Sequence, residues 1–340
     1  MGNTRKRCRS VVAIVKNTSL ILGLLLCFYA CKKKSWDTAV TQLTLPYVGE
    51  GMYNTVLVDS FDRVFILGGD RFERNDFLQS NDNGATWQVF HYNAELYSNK
   101  VLYAGTIRHN MVYAVGYDGK IFRNPDFRYD QWLLRQGDYF WYSYTGIAFG
   151  SDQNGCAVGH AGYDRGVIQR IDAEAHSLQV DSFPFAINDI CFVDAATAYA
   201  AGYGALVKTV DSGKTWQQLS LTNDNYRAIY GIDKDNIWTV GYNGTIAHIT
   251  QNGTHFNKVK NGQNPLGNTD RYRDIAFKGA DGYIVGEKGV VMYTSNAGKS
   301  WSKMKKFTSE DLHGVAFHPT RNTVYFVGNH HVAFKTTVGN

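Results

Sequence analysis

The segment Tyr283-Ile284-Val285-Gly286 decides the fold, because the same short apolar run ending in glycine recurs along the whole chain. The other copies are Phe65-Ile66-Leu67-Gly68, Tyr113-Ala114-Val115-Gly116, Cys156-Ala157-Val158-Gly159, Tyr199-Ala200-Ala201-Gly202, Trp238-Thr239-Val240-Gly241 and Tyr325-Phe326-Val327-Gly328. Successive glycines are 48, 43, 43, 39, 45 and 42 residues apart, so the chain contains seven units of similar length. A period of about 40 to 50 residues is typical of stacked or radial repeats.

Each unit contains four short strand patterns. The first is typified by residues 272–277, the second is the run before glycine, the third follows a turn such as Asn243-Gly244, and the fourth begins near a tryptophan. Seven such units predict an all-β fold, a seven-bladed β-propeller with four-stranded blades, in which radial closure protects the strand edges. A stacked β-solenoid is the alternative, although its coils are usually shorter.

The last unit reaches only a third strand before the sequence ends at Asn340. Residues 36–43 begin with Trp36 and match the fourth-strand pattern of residues 216–219. We therefore predict that this N-terminal strand completes the seventh blade and closes the ring, and that residues 36–340 form a single propeller domain.

The N-terminal residues have the features of an export signal. The apolar segment 20–30, about 11 residues long, has the length of a signal-peptide core and is too short to span a bilayer. The Ala30-Cys31 pair that ends it resembles the lipobox of bacterial lipoproteins, although Phe28 and Tyr29 are bulkier than the usual residues. We expect residues 1–30 to be a lipoprotein signal peptide, Cys31 to be lipidated, and residues 31–35 to be a short tether; ordinary cleavage and an uncleaved anchor are the alternatives.

A lipid on Cys31 predicts anchoring in the bacterial cell envelope. Basic residues 32–34 do not resemble acidic surface-export tags, which favours an outer-membrane position facing the periplasm over exposure at the cell surface.

The formal charge of +5 belongs to the same segment. Residues 1–30 contain five basic and no acidic side chains, so removing them leaves 30 basic against 30 acidic residues. A nucleic-acid-binding footprint needs a clustered basic excess. The composition therefore argues against a nucleic-acid partner.

Cys156 and Cys191 are the cysteines of the predicted propeller, and both lie in apolar strand patterns. Buried free thiols are the favoured interpretation, and a bridge between them is the alternative.

A second repeated motif occurs between the third and fourth strands, as in Ser80-Asn81-Asp82-Asn83-Gly84-Ala85-Thr86-Trp87. It resembles the Asp-box, or bacterial neuraminidase repeat, in which Asp accepts hydrogen bonds from the turn, Gly adopts a left-handed conformation and Trp packs between sheets. We expect a structural role for the box residues Asp82, Gly84, Trp87, Asp211, Gly213, Trp216, Gly298 and Trp301.

The seven repeats, the Val-Gly signature and the Asp-boxes together resemble the propeller family that includes the photosystem II assembly factors of plants and cyanobacteria. The resemblance extends from about residue 36 to the end of the chain. It implies a binding or assembly protein that engages a protein partner, without a catalytic residue. We also expect no cofactor or metal, because the adjacent His330 and His331 alternate across a strand and cannot both face one ion.

Sialidases and other glycoside hydrolases also contain Asp-boxes, so a carbohydrate-binding or hydrolytic propeller is the alternative function. Phe122-Arg123-Asn124-Pro125 resembles a sialidase arginine motif, but it follows the first Asp-box, whereas the sialidase motif precedes it. Asp70, Glu73 and Asp76 lie in an insertion of the first unit, and solvated loop charges are the favoured interpretation.

The repeat also predicts where a partner would bind. Counting back 13 to 15 residues from each glycine gives Asn54, Leu102, Thr145, Asn188, Arg227, Arg273 and His313, which should circle one mouth of the central channel. Long loops on the same face contain aromatic residues, and interfaces favour aromatic and Arg side chains. The candidate partner-binding residues are Arg227, Arg273, His313, Asn188, Asn54, Tyr139 and Trp141. The alternative is that Arg227 and Arg273 pair with Asp274 or Asp189 and that Trp141 packs between blades.

Overall fold

The computed structural model describes residues 39–46, 50–93, 98–219, 224–262 and 270–338, which form seven four-stranded antiparallel sheets. Strands that follow one another in the chain pair within each sheet. The inner strand of each sheet contacts the inner strand of the next, and the last contacts the first. The predicted seven-bladed propeller is therefore confirmed.

The chain enters the propeller through β1 (Thr41–Gln42), which belongs to blade 7. Blades 1 to 3 comprise β2 (Met52–Val58), β3 (Val64–Asp70), β4 (Arg74–Ser80) and β5 (Gln88–Phe90); β6 (Leu102–Arg108), β7 (Met111–Gly116), β8 (Lys120–Pro125) and β9 (Leu133–Gln136); and β10 (Ser143–Ser151), β11 (Asn154–His160), β12 (Gly166–Ile171) and β13 (Ser177–Phe183).

Blades 4 to 7 comprise β14 (Ile187–Phe192), β15 (Ala198–Gly202), β16 (Ala205–Thr209) and β17 (Gln217–Leu219); β18 (Tyr226–Asp233), β19 (Asn236–Gly241), β20 (Ile246–Thr250) and β21 (His255–Lys260); β22 (Tyr272–Lys278), β23 (Asp281–Gly286), β24 (Val291–Thr294) and β25 (Ser302–Lys303); and β26 (Leu312–Phe317), β27 (Thr323–Gly328) and β28 (Ala333–Thr337). Short 3-10 turns span Tyr117–Gly119, Gln251–Gly253 and Glu287–Gly289. Across the described ranges, no helix has the length and apolar character that crossing a bilayer requires.

Strand β1 closes the ring, as predicted. It pairs antiparallel with β28, with Thr41 opposite Lys335 and Gln42 opposite Phe334. The backbone N–H of Leu43 also donates to the carbonyl of Ala333 over 2.8 Å. The paired strand is shorter than the predicted segment 36–43, and Trp36 lies outside the described residues.

The recurring glycine at the end of the second strand allows a close backbone approach. A Cβ atom built on Gly202 would lie 1.8 Å from the carbonyl oxygen of Ala186, and one built on Gly286 would lie 1.9 Å from that of Arg271. The equivalent Gly328 has the same restriction against Asp311. Because any side chain would push the second strand away from the chain entering the inner strand, the repeat retains glycine here.

The hydrophobic core lies between blades rather than in one central cluster. In one cluster, Trp238 of blade 5 packs with Ile275 and Phe277 of blade 6. In another, Cys156 of blade 3 packs with Ile190 of blade 4. Each sheet therefore buries both faces against its neighbours, which accounts for the apolar second strands.

The first Asp-box forms the turn between β4 and β5. Asp82 accepts hydrogen bonds from the N–H groups of Ala85 and Thr86 and from the Thr86 hydroxyl, over 3.0, 2.8 and 2.6 Å. Gly84 has φ +82°, a left-handed conformation that favours glycine. Trp87 packs against the core cluster shared by blades 1 and 7. The residues predicted to be structural therefore build a turn and anchor it to the core.

Blades 4 and 6 repeat this turn with small changes. Asp211 binds the N–H and hydroxyl of Thr215 over 2.9 and 2.6 Å, whereas blade 6 has Asn296 at this position, which accepts from the N–H of Ser300 over 3.0 Å. The glycines Gly213 and Gly298 have φ +80° and +78°. Trp216 and Trp301 pack against interblade clusters.

Candidate functional site

The seven inner strands surround a central channel, which contains a cavity of about 680 Å³ lined by residues of every blade. One mouth lies on the face that carries the turns between second and third strands, which we call the mouth face. The Asp-box turns lie on the opposite face. The two kinds of turn lie on opposite faces because successive strands of a blade run in opposite directions.

A β-bulge marks the start of each inner strand at the mouth. The pairing register shifts between Tyr226 and Ala228 in β18 and between Tyr272 and Asp274 in β22, which leaves one residue out of the regular pairing. Bulges commonly redirect a side chain. The bulge residues that line the channel are Asn54, Thr145, Arg227, Arg273 and His313. Five of the seven positions predicted from the repeat spacing therefore line the central channel.

The predicted position in blade 2 is wrong by one residue. Leu102 pairs with Gly116 and is fully buried, and the register shift places Tyr103 at the bulge. The bulge lies 13 residues before the following glycine in blade 2 and 14 residues before it in blade 1, and the prediction took the 14-residue position in blade 2.

The two predicted arginines have different surroundings. Arg273 Nη2 lies 2.9 Å from Glu287 Oε1 and 3.8 Å from Asp311 Oδ2. Arg227 has no carboxylate within ion-pair distance among the described residues, and its guanidinium carbon lies 5.3 Å from the centre of the Tyr242 ring. Burial, together with the positive charge of Arg273, lowers the pKa of Arg227. Arg227 is therefore a partly buried cation that faces the channel without a carboxylate partner.

The alternative pairing of these arginines with Asp189 and Asp274 is wrong. Asp189 instead accepts hydrogen bonds from the N–H groups of Ile190 and Ile229, each over 2.8 Å. Asp274 accepts from Ile275 and Val315 over 2.7 and 2.8 Å. Since Ile229 and Val315 belong to the following blades, both carboxyl groups link adjacent inner strands.

Burial raises the pKa of both channel carboxyl groups, to about 8 for Asp189 and about 6 for Asp274. The nearby charge of Asp274 also raises the pKa of Asp189, while the backbone hydrogen bonds oppose the shift. The wall of the channel consequently disfavours negative charge.

His313 completes the predicted trio but does not add a charge at neutral pH. Burial and the nearby charge of Arg273 lower its pKa to about 4. Its Nε2–H donates to Asn329 Oδ1 over 2.7 Å. Of the three predicted basic residues at the mouth, Arg227 and Arg273 therefore remain cations at neutral pH.

The two predicted asparagines make interblade hydrogen bonds. Asn54 Nδ2 donates to the carbonyl of Leu102 over 2.7 Å, and Asn188 Nδ2 donates to that of Tyr226 over 2.6 Å. Asn188 is buried, whereas Asn54 lines the channel. These side-chain amides therefore link neighbouring blades.

The aromatic loop between blades 2 and 3 presents its residues in two directions. Tyr139 is half-buried, and its hydroxyl lies 3.1 Å from Ser182 Oγ. Trp141 is 72% exposed. The alternative in which Trp141 packs between blades is therefore wrong.

Of the acidic residues considered for glycoside hydrolysis, Glu73 is exposed and Asp70 is half-buried, as expected of loop charges, whereas Asp76 differs. Asp76 is buried and bound by Arg74 and His331, so its interpretation as a solvated loop charge is wrong. Arg123 pairs with Glu174 of the neighbouring blade and does not line the channel. In the part of the chain that the structure describes, no three His, Cys, Asp or Glu residues are arranged to hold a metal ion.

Both cysteines of the propeller are free. Cys156 is buried, as expected, and burial raises its pKa to about 12. Cys191 lines the channel and is partly accessible, and burial raises its pKa also.

The sequence analysis missed three tyrosines on the mouth face: Tyr163, Tyr203 and Tyr242. Tyr163 and Tyr203 are exposed and their ring centres lie 5.1 Å apart. A sequence pattern could have identified two of them, because a tyrosine directly follows the repeat glycine at Tyr117, Tyr203 and Tyr242.

Comparison with known proteins agrees with the resemblance read from the repeats. Residues 222–339 match the family described as photosynthesis system II assembly factor YCF48. This match covers about a third of the chain. No curated protein sequence matches the chain.

Several solved propellers are similar in structure. YCF48 from Cyanidioschyzon merolae has 15% sequence identity and a TM-score of 0.66, and the alignment covers 89% of this chain and 100% of that one. YCF48 bound to D1 peptide has 13% identity and a TM-score of 0.63, with 88% and 94% covered. The WD40 propeller domain of Doa1 has 13% identity and a TM-score of 0.68, with 88% and 97% covered. At these identities the likeness establishes the fold alone.

Proposed function

We propose that this protein is a non-catalytic scaffold that engages a protein partner through the mouth face of its propeller, in the assembly or maintenance of an envelope complex. The observation that carries the proposal is Arg227, a partly buried cation at the channel mouth with no carboxylate partner among the described residues. Keeping such a charge unpaired costs stability, and Arg is enriched among the residues that dominate binding energy.

The comparisons support a polypeptide ligand. The match over residues 222–339 includes Arg227, Arg273 and His313. One similar propeller is a YCF48 bound to D1 peptide. We extend to this chain the general property, binding of a polypeptide during assembly, and not the identity of that ligand.

The scaffold is proposed to be held at the membrane by a lipid on Cys31, at the outer membrane and facing the periplasm. The hydroxyl of Thr336, near the end of β28, donates to the carbonyl of Ala39 over 3.2 Å, so the described chain begins on the Asp-box face. Ala39 is the eighth residue after Cys31, which limits the distance between them to roughly 30 Å. Because the described chain enters on the Asp-box face, the mouth face is not the face at which the tether joins the propeller.

Copurification tests the proposal. The tagged full chain would be expressed in its own host, crosslinked in the intact envelope and purified, and recovered proteins would be identified by mass spectrometry. We expect one protein to be recovered with the wild type and lost with an Arg227→Ala, Arg273→Ala double variant. Arg108→Ala is the matched control, because Arg108 lies on the Asp-box face, where it pairs with Asp152 over 2.9 Å.

Equal recovery of partners by the double variant would overturn the proposed site, provided that its melting curve shows a folded protein. Hydrolysis of a polysaccharide by the purified chain, abolished by Asp189→Asn or Asp274→Asn, would overturn the non-catalytic assignment. Labelling with radioactive palmitate that persists after Cys31→Ser would overturn the proposed site of lipidation.

A further inference from the structure

Exposed aromatic residues extend across the mouth face from blade 1 to blade 4. We call these residues, together with the half-buried Tyr117, the aromatic crescent; its exposed members are Phe72, Phe140, Trp141, Tyr163 and Tyr203. They form three close pairs, with ring centres 5.2 Å apart for Phe72 and Tyr117, 4.7 Å for Phe140 and Trp141, and 5.1 Å for Tyr163 and Tyr203. Exposed apolar groups that cluster on one face commonly mark an interaction site.

The Phe140–Trp141 pair is held outward by a strained turn. The N–H of Tyr142 lies 3.4 Å from the carbonyl of Tyr139, which closes a four-residue turn around the pair. Trp141 has φ +74°, a conformation that a bulky side chain rarely adopts and that glycine would adopt without strain. The rings of Tyr139 and Tyr142 pack against each other, 4.9 Å apart, beneath the tip. Strain of this kind is retained where the side chain has a function.

Unpaired positive charge lies at both ends of the crescent. Arg71 lies 4.9 Å from the centre of the Phe72 ring and 5.6 Å from that of Tyr117, and no carboxylate lies within ion-pair distance of it in the described ranges. At the other end, the next blade carries Arg227, whose guanidinium carbon lies 5.3 Å from the centre of the Tyr242 ring. A ligand with acidic groups would therefore complement the two ends, and apolar groups would complement the middle.

The geometry favours a polypeptide over a sugar. Stacking of a sugar ring needs a flat aromatic platform, but the planes of Phe140 and Trp141 meet at 85° and those of Phe72 and Tyr117 at 83°. Such edge-to-face corners enclose an aliphatic or aromatic side chain instead. A membrane is disfavoured by position, because the chain enters on the opposite face, near Ala39.

We propose that the aromatic crescent is a docking site for an extended acidic polypeptide segment whose aromatic or aliphatic side chains anchor between the ring pairs. This inference rests on the proposed function and names the chemistry of the partner. The Arg-bearing channel mouth continues the same surface at blades 5 and 6, so one segment would contact both.

A phage library displaying random 12-residue peptides tests this chemistry without a known partner. The library would be panned on the purified full chain, and selected peptides would be synthesised for calorimetric Kd measurements. We expect selection of peptides rich in Asp or Glu together with aromatic or aliphatic residues. Their Kd should rise about tenfold or more in Trp141→Gly and in a Tyr163→Ala, Tyr203→Ala double variant.

The controls separate binding from folding. Trp141→Gly removes the strained conformation, so its melting temperature should equal or exceed that of the wild type while binding weakens. Trp141→Tyr should retain most of the affinity. Phe61→Ala removes an equally exposed aromatic side chain from the Asp-box face and should leave the Kd unchanged.

The contrary outcomes are distinct. Peptides that lose binding with Arg227→Ala but not with the crescent variants would overturn the crescent and leave the proposed function standing. Selection of basic peptides would overturn the proposed chemistry. A library that yields no binder would count against both the crescent and the proposed function.

Discussion

His331 of blade 7 and Asp76 of blade 1 form a buried pair across the joint that closes the ring, with Nε2 and Oδ2 3.1 Å apart and both side chains about 1% exposed. Arg74 Nε lies 2.7 Å from the other oxygen of the same carboxylate, and His91 Nδ1 lies 3.2 Å from it. Strand β1 contributes only two paired residues to this closure. Side-chain contacts between the first and last blades therefore supplement a short backbone clasp.

Asp76→Asn should destabilise the propeller by about 3 kcal/mol at pH 7, because it removes the buried carboxylate that Arg74 and His331 contact at the joint between the first and last blades. The measurement is the free energy of unfolding from urea titrations. Asp164→Asn is the matched control, since Asp164 is 84% exposed and lies 3.9 Å from its partner Arg165. A destabilisation no larger than that of the control would contradict a structural role for the pair.

The contribution of Asp76 should also depend on pH. Burial raises the pKa of this carboxyl, but hydrogen bonds from His331 and Arg74 outweigh burial, so the pKa is lowered overall. A carboxyl group with a lowered pKa stabilises the folded state above its unfolded pKa of about 4, and this stabilisation is lost as the pH falls through the folded pKa. The difference between the wild type and Asp76→Asn should therefore shrink below about pH 4.

Asp189 should have the opposite effect on the pH dependence. Its pKa is raised to about 8 by burial, so the folded state holds this proton more tightly than the unfolded state. Stability contributed by the protonated group is full below the unfolded pKa of about 4 and declines as the pH rises towards 8. Asp189→Asn cannot ionise, so its unfolding free energy should decline less between pH 5 and pH 8. Parallel curves for the two proteins would show that Asp189 ionises normally.

The two mouth arginines should respond differently to removal. Arg227→Ala should leave the melting temperature unchanged or raise it, because the guanidinium is partly buried without a carboxylate partner among the described residues. Arg273→Ala should lower stability by about 1 kcal/mol, because it breaks the half-buried contacts with Glu287 and Asp311. Thermal melts of the single variants distinguish these effects; equal destabilisation would indicate that Arg227 has a structural partner.

The repeats made the architecture predictable because backbone constraints recur in every blade. Gly202 and Gly286 cannot be replaced, because a Cβ atom at either position would lie less than 2 Å from a backbone carbonyl oxygen. The glycine therefore recurs in every repeat at similar spacing, and this recurrence is visible in the sequence. The ring of mouth residues followed from this spacing. The prediction of the mouth residue failed in blade 2, where the β-bulge places Tyr103 rather than Leu102 outside the regular pairing.

The contacts of the site residues were not predictable from the repeat. In the sequence, Asp76 lies among other charged residues of an insertion and looks like a solvated loop residue. In the structure it is buried against His331, which lies 255 residues further along the chain. The partners of Arg273 come from a turn and a loop that differ between blades. Such pairings depend on side-chain directions at the closed ring, which a single sequence does not encode as a pattern.

Asn296 offers a stabilising substitution that tests the account of the Asp-boxes. Boxes one and two have Asp at this position, and hydrogen bonds from the side chain and backbone of Thr86 and Thr215 lower the pKa of Asp82 and Asp211 to about 2. These turns therefore stabilise the charged form of the carboxyl group. Asn296→Asp should replace the neutral oxygen that accepts from the Ser300 N–H by a charged one. The Asn296 Nδ2 group now donates to the Ser300 hydroxyl; in the variant, that hydroxyl would donate to the carboxylate instead.

We expect Asn296→Asp to raise the melting temperature by a few degrees at pH 7, because it restores the acidic residue of the other two boxes. Because the carboxyl stabilises the turn only when ionised, the gain should be lost as the pH falls below about 4. Ser295→Asp, which places the same charge on the neighbouring exposed residue of this turn, is the matched control and should show no gain. A melting temperature that does not rise, or a gain that persists at pH 2, would contradict the assignment of the Asp side chain as the charged acceptor of these turns.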